Sequence, residues 1–150
     1  MLENALMNVM IRKAAVHWKG GIDGGVRALT TESGVLKRAR FSPTLPLAKT
    51  SHTDPVELIA AAHASSFSLA LSNELRLTPS AAGEIVTTAT VTLEYLAALW
   101  TIVNIHLDVA ARLPRITQNR FIDATVRAKT KCLVSRLLRA TISMTARLEK

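Results

Sequence analysis

The sequence predicts an α+β fold, an antiparallel sheet wrapped on helices, in the order βββ–α–ββ–α–β. Three observations predict it. Apolar and polar residues alternate through 85–95, 103–109 and 140–148, the period of a half-buried strand. Two helix starts bring their own capping residues, Asp54-Pro55 and Thr117. Glycines at 20, 21, 24 and 25 cut the N-terminal third into short strands.

Taken in order, Met7 to Lys19 reads as a strand that ends at Gly20-Gly21, with a turn through Asp23-Gly24-Gly25. Val26 to Thr31 completes a hairpin, and Gly34 to Phe41 is a third short strand. Residues 42–53 carry two prolines and many polar side chains, so they form a loop. A helix then runs from Pro55 to about Leu75 and stops before Thr78-Pro79. Asp54 can cap it, and Glu57 completes a pattern like a capping box. Alanines and serines dominate 60–72, leaving few bulky side chains around Leu58, Ile59, Phe67, Leu69 and Leu71. Such a helix lets neighbours approach on every side, which places it centrally and buried. Two long strands follow. Ile85, Thr87, Ala89, Val91, Leu93 and Tyr95 share one face of the first, and Val103, Ile105, Leu107 and Val109 one face of the second. Thr117 caps a helix to about Lys131, with Phe121, Ile122, Thr125, Val126 and Lys129 at helical spacing. Cys132 leads a short helical segment, 133–138, and the chain ends in a strand built on Ile142, Met144, Ala146 and Leu148.

Composition narrows the function classes. One domain covering 1–150 is expected at this length. Apolar types make up 49% of the chain, which excludes a disordered protein. A single Cys excludes a disulfide framework within the monomer and points to a reducing compartment, the cytoplasm. The N-terminus shows neither a signal peptide nor a membrane span. The formal charge is +8, and all of it falls in residues 111–150, with ten Lys/Arg against two acids. These bases alternate with apolar residues or sit at helical spacing, the signature of a solvated face. Phe121 is the one aromatic there that could stack on a base, so nucleic acid is not the expected partner.

Several segments together resemble the OsmC/Ohr family of small bacterial hydroperoxide peroxidases. They are Ala15-Val16-His17-Trp18-Lys19-Gly20, Thr31-Glu32-Ser33-Gly34-Val35-Leu36, the run from Asp54 to Ser68, and Ala128-Lys129-Thr130-Lys131-Cys132-Leu133-Val134-Ser135. The likeness covers about residues 11–150, and its Ala-Ala-His-Ala helix is nearest to the OsmC branch. The resemblance implies antiparallel sheets wrapped around two long helices in an intertwined homodimer, with active sites at the subunit interface. It also implies a peroxidatic Cys that attacks the O–O bond, a resolving Cys that closes a disulfide, and a dithiol reductant that reopens it. An Arg and a Glu organise the thiolate and the peroxide.

Carried over residue by residue, the pattern breaks. The peroxidatic position is Ser66 and the Glu position is Val56, while the Arg position falls at about Leu45–Pro46, where there is no base. The resolving position is Cys132. Glu57 lies about 180° around the helix from Ser66, so it does not replace the missing carboxylate. Arg40 and Lys49 flank the loop. A serine hydroxyl cannot substitute, because peroxide attack needs a polarizable thiolate. An engineered Cys→Ser change would account for Ser66 but not for Val56 or the missing Arg, so natural divergence is the better reading.

Two functions of different class follow. In one, hydroperoxide chemistry is rerouted through Cys132 alone, whose neighbours Lys129, Lys131 and Arg136 and adjoining helix start favour a thiolate. In the other, an apolar interfacial pocket at Val56, Ile59, His63 and Pro46 binds a small apolar ligand without catalysis. Two further ideas fall away. His63 and Ser66 share a helix face but lack an orienting acid, an oxyanion loop and a Gly-x-Ser-x-Gly elbow. His17, His52, His63 and His106 are scattered without metal-ligand spacing, and no cofactor is implied. Trp18 and Trp100 read as core or interface anchors.

Overall fold

The computed structural model describes residues 9–22, 25–42, 51–77 and 83–149. The chain divides into two compact units, Met1–Pro55 and Val56–Lys150. Pro46 and Lys49 lie outside the described residues, as do Leu45, Asp23 and Gly24.

In the first unit, β1 (Ala14–Lys19), β2 (Val26–Thr31) and β3 (Ala39–Arg40) form an antiparallel sheet in that order. The turn from β1 to β2 needs glycine at Gly25. Its φ is +118°, and a Cβ there would stand 2.0 Å from the Lys19 carbonyl oxygen. Arg27 ties the turn down by donating to the Gly21 and Ile22 carbonyls, and its guanidinium lies 4.8 Å from the Trp18 ring centroid. Two expected strands are shorter in the structure. β1 begins at Ala14, leaving residues 9–13 outside the strand because its partner β2 ends opposite at Thr31, while Met7 and Asn8 lie outside the described residues. The predicted third strand, 34–41, shrinks to Ala39–Arg40. Its first half folds back on Thr31, whose amide donates to the Leu36 carbonyl, and Arg38 takes a φ of +52°.

The second unit holds α1 (Pro55–Leu75), β4 (Glu84–Leu96), β5 (Leu99–Arg112), α2 (Gln118–Lys131), α3 (Leu133–Leu137) and β6 (Thr141–Glu149). β4 and β5 make a long antiparallel hairpin, turned by Ala97 and Ala98, both at positive φ. Val103 is an extra residue in β5, since Thr92 faces Asn104 while Leu93 faces Ile102. The expectation of a wholly antiparallel sheet is corrected at β6, which pairs with β5 in parallel. Two helices separate these strands, and they carry the chain back across the sheet so that β6 starts from the same end as β5.

The core joins Phe67, Leu71 and Leu75 of α1 to Leu107, Val109 and Ala111 of β5 and to Phe121, Ala124, Ala128 and Cys132. One expectation about the helices changes here. Within the chain α1 is not buried all round. It buries one stripe, His63, Phe67, Leu71 and Leu75, at four-residue spacing, while Leu69 is 65% exposed. On α2 the buried stripe is Phe121, Ala124, Thr125 and Ala128, and Val126 is 57% exposed. Alanines in that stripe keep α2 close to its neighbours, which leaves Ile122 and Val126 on the outward face. Trp18 and Trp100 are also surface residues in the chain, Trp18 edge-on to Phe41 and Trp100 against Tyr95. Thr117 caps α2 as its sequence requires, its hydroxyl accepting from the Arg120 amide. Among the described residues no helix is long and apolar enough to cross a membrane.

Candidate thiol site at Cys132

Cys132 occupies the joint between α2 and α3. Its amide donates to the Ala128 carbonyl as α2 ends, and its carbonyl accepts from the Arg136 amide as α3 begins. The joint bends because Cys132 leaves the helical region, at φ −59° and ψ 123°. Its side chain is thereby turned inward, and the residue is fully buried.

From α1, Ser66 meets it. The Cys132 Sγ and Ser66 Oγ lie 3.3 Å apart, although the two residues are 66 positions apart in the chain. The two positions that the family likeness pairs are therefore in contact. One turn earlier on α1, His63 is also fully buried, and its Nε2 lies 2.7 Å from the Ser135 Oγ of α3. Ser135 follows Cys132 by three positions on the first turn of α3. Two contacts thus tie α1 to the α2–α3 joint, His63 to Ser135 and Ser66 to Cys132.

The electrostatics follow from these contacts. Burial pushes the Cys132 thiol pKa up. Donation from the Ser135 and Ser66 hydroxyls, and from the Ser135 and Val134 amides, outweighs it and leaves the thiol below its ordinary value. The expected help from lysine and arginine neighbours is replaced by these neutral donors. Lys131 is instead committed to Glu74, which also accepts from Arg127 at 2.8 Å. His63 is pushed below its usual range by burial, which keeps the ring neutral.

Of the other expected site residues, Val56 and Ile59 are half-buried on the first turns of α1, and Arg40 lies on β3 of the first unit. His63 is drawn to Ser135 rather than paired with Ser66, so the structure does not assemble a serine–histidine nucleophile. His106 sits on the polar face of the second sheet, bonded to Ser143 and Thr145. Among the described residues, no three His, Cys, Asp or Glu side chains gather as metal ligands.

Ser135 was the residue missed. Nothing local signals it, since its partner His63 lies 72 positions away in the chain.

A mixed α+β chain with a buried thiol between two hydroxyls at a helix joint defines a thiol-bearing class of small protein. The comparisons give the family. The family model for OsmC-like proteins matches residues 48–147. The chain is 37% identical over 136 residues to Peroxiredoxin OsmC of Escherichia coli K12, covering 89% of this chain and 93% of that protein. This chain belongs to the OsmC/Ohr family. Solved structures share the fold. An OsmC-like protein of unknown function from Vibrio cholerae superposes with a TM-score of 0.72 at 16% identity, covering 93% of this chain and 100% of that one. An organic hydroperoxide resistance protein OsmC from Legionella pneumophila gives 0.66 at 18% identity, covering 95% and 98%.

Proposed function

We propose that this chain serves hydroperoxide detoxification and the oxidative-stress response as a homodimer without the two-cysteine cycle, its chemistry confined to Cys132. The observation that carries this reading is the 3.3 Å contact between the Cys132 sulfur and the Ser66 hydroxyl. Where a second sulfur would attack peroxide, an alcohol stands, and an alcohol is neither ionised near neutral pH nor oxidised in this way. The Cys132 thiol donates to its oxygen, and a thiolate there would accept from its hydroxyl, so Ser66 acts on the sulfur that is left.

The reaction would run on one sulfur. The Cys132 thiolate attacks the distal oxygen of an organic hydroperoxide. The O–O bond breaks, the alkoxide leaves and takes a proton to become an alcohol, and Cys132 becomes a sulfenic acid. An external dithiol then reduces it. One thiol displaces water to give a mixed disulfide, and the other closes the reductant's own disulfide and frees Cys132. No cofactor is needed.

Full burial of Cys132 favours a second reading, a binding protein that holds a small apolar ligand near Val56 and Ile59 without turnover. One experiment separates the two. Purified protein receives one equivalent of cumene hydroperoxide, followed by intact mass and peptide mapping. Stoichiometric peroxide loss with a sulfenic adduct at Cys132 supports the one-cysteine reaction. Oxidation no faster than that of a free thiol refutes it and leaves the binding reading.

A further inference from the structure

Away from the thiol site, the second unit holds a cavity of about 550 Å³ at the end of its sheet. It forms where β5 and β6 stop together, with Arg112 opposite Glu149 in the last rung of their ladder. The chain then turns through Leu113–Ile116, the Ile116 amide donating to the Leu113 carbonyl at 3.1 Å. Pro114 stands at the second position of that turn and stiffens it. Leu113, Ile116 and Leu148 make an apolar floor. Leu113 is buried, and the other two pack half-buried against the core. The polar lining is small. It consists of Arg112, Glu149 and Gln118, the first residue of α2. A volume of this order, mostly apolar with a few polar groups, is that of a small-molecule site.

The polar lining favours an anion. The Arg112 Nη2 reaches the Glu149 Oε2 at 3.3 Å, longer than the about 2.7–2.9 Å of a well-made charge-assisted bond. Glu149 is also shared with Arg147, whose Nε stands 3.8 Å from its other oxygen. Arg112 is thus held loosely through one nitrogen, and a guanidinium presents a planar fork of donors that suits a carboxylate. Arg115 adds a second positive charge in the same turn. The first turn of α2 carries no acid, so nothing there neutralises the positive end of the helix. Glu84 faces Arg112 across the ladder from β4 without lining the cavity. We propose that this cavity binds a small amphipathic monocarboxylate of the fatty-acid type. Its carboxylate meets Arg112 and the Gln118 amide, and its tail lies on Leu113, Ile116 and Leu148. The site shares no residue with the Cys132–Ser66 contact, so binding neither needs nor reports the one-cysteine reaction.

The test is calorimetric titration of the full chain with dodecanoate, kept below its micelle concentration. Dodecanol and dodecylammonium supply the same tail with other heads, and butanoate the same head with little tail. Dodecanoate should bind at one site per chain, about tenfold or more tightly than any of the three. Arg112→Gln should weaken dodecanoate about tenfold, the loss of one hydrogen bond to a charged group, and leave dodecanol unchanged. Glu149→Gln removes the competing carboxylate and should tighten dodecanoate about threefold. Both side chains are exposed, so both variants should melt as the parent does. Cys132→Ser should bind as the parent does, whatever becomes of the peroxide reaction. Equal affinity for the three long tails overturns the proposal, as does an Arg112→Gln variant that binds dodecanoate like the parent. Binding that ignores Arg112 but is lost in Val56→Trp would assign the ligand to the first turns of α1, and that too overturns it. So does the absence of any binding.

Discussion

Replacing Ser66 with Cys turns the central contact into a measurement. The Ser66 oxygen and Cys132 sulfur are 3.3 Å apart, and a disulfide requires about 2.05 Å between sulfurs. The approach still needed is a little over 1 Å, part of which the longer C–S bond supplies. Ser66→Cys should therefore form an intrachain disulfide when a mild thiol oxidant is added. That bond would close a loop across 66 positions, and chain-entropy reasoning gives about 4 kcal/mol of stabilisation for such a loop. For a chain of this size that amounts to about 10 °C in melting temperature between the reduced and oxidised forms. The assay is intact mass, thiol titration under denaturing conditions, and paired thermal melts with and without reductant. Two free thiols per chain after oxidation would refute the geometry, and so would a bridge that joins two chains.

Three further outcomes follow from the packing. Phe121→Ala empties a fully buried ring site between α2 and the rest of the core, and should cost about 3–5 kcal/mol in denaturant unfolding. Burial lowers the pKa of His63 in the folded state, so the unfolded chain binds more protons. Stability should then be complete above the ordinary histidine pKa and fall as pH drops through about 6.5 toward the lowered folded value, by up to about 1.4 kcal/mol per pH unit. His63→Gln should flatten that slope, read as melting temperature between pH 7.5 and 5.5. Gly25→Ala should destabilise the first hairpin, because φ is +118° and the Lys19 carbonyl occupies the Cβ position. Amide exchange in Val26–Thr31 would report it.

Local rules were legible where local physics decides. Pro55–Leu75 and Val26–Thr31 are found at the expected bounds, because a proline at the first helical position and glycines at a turn act within a few residues. Alternation placed Ile105, Leu107 and Val109 inward, and they are fully buried. Whether β6 ran parallel was not legible. Its alternation is the same either way, and only the path of α2 and α3 sets its direction. The bulge at Val103 was hidden for a related reason, since register belongs to two strands and not to one. On α1 and α2 the apolar residues outnumber the positions the core takes, so helical spacing alone does not decide that Ile122 and Val126 face outward.

The site divides along the same line. Aligning motifs identified Ser66 and Cys132, and the fold brings them into contact. Charge neighbours in sequence, however, misread what acts on the sulfur. Lys131 follows its helix outward to Glu74, while two serines and two amides, all uncharged, face Cys132. An uncharged donor can outweigh a nearby cation here because it is buried with the sulfur, where no water competes for the hydrogen bond. On the proposed reading, Ser66 would also act on the remaining sulfur: a second thiol is a weak donor to a thiolate, whereas a hydroxyl is a strong one. Ser66→Ala should accordingly depress the Cys132 thiolate signal without touching the His63–Ser135 pair. An unchanged thiolate titration in that variant would show that Ser66 only fills space.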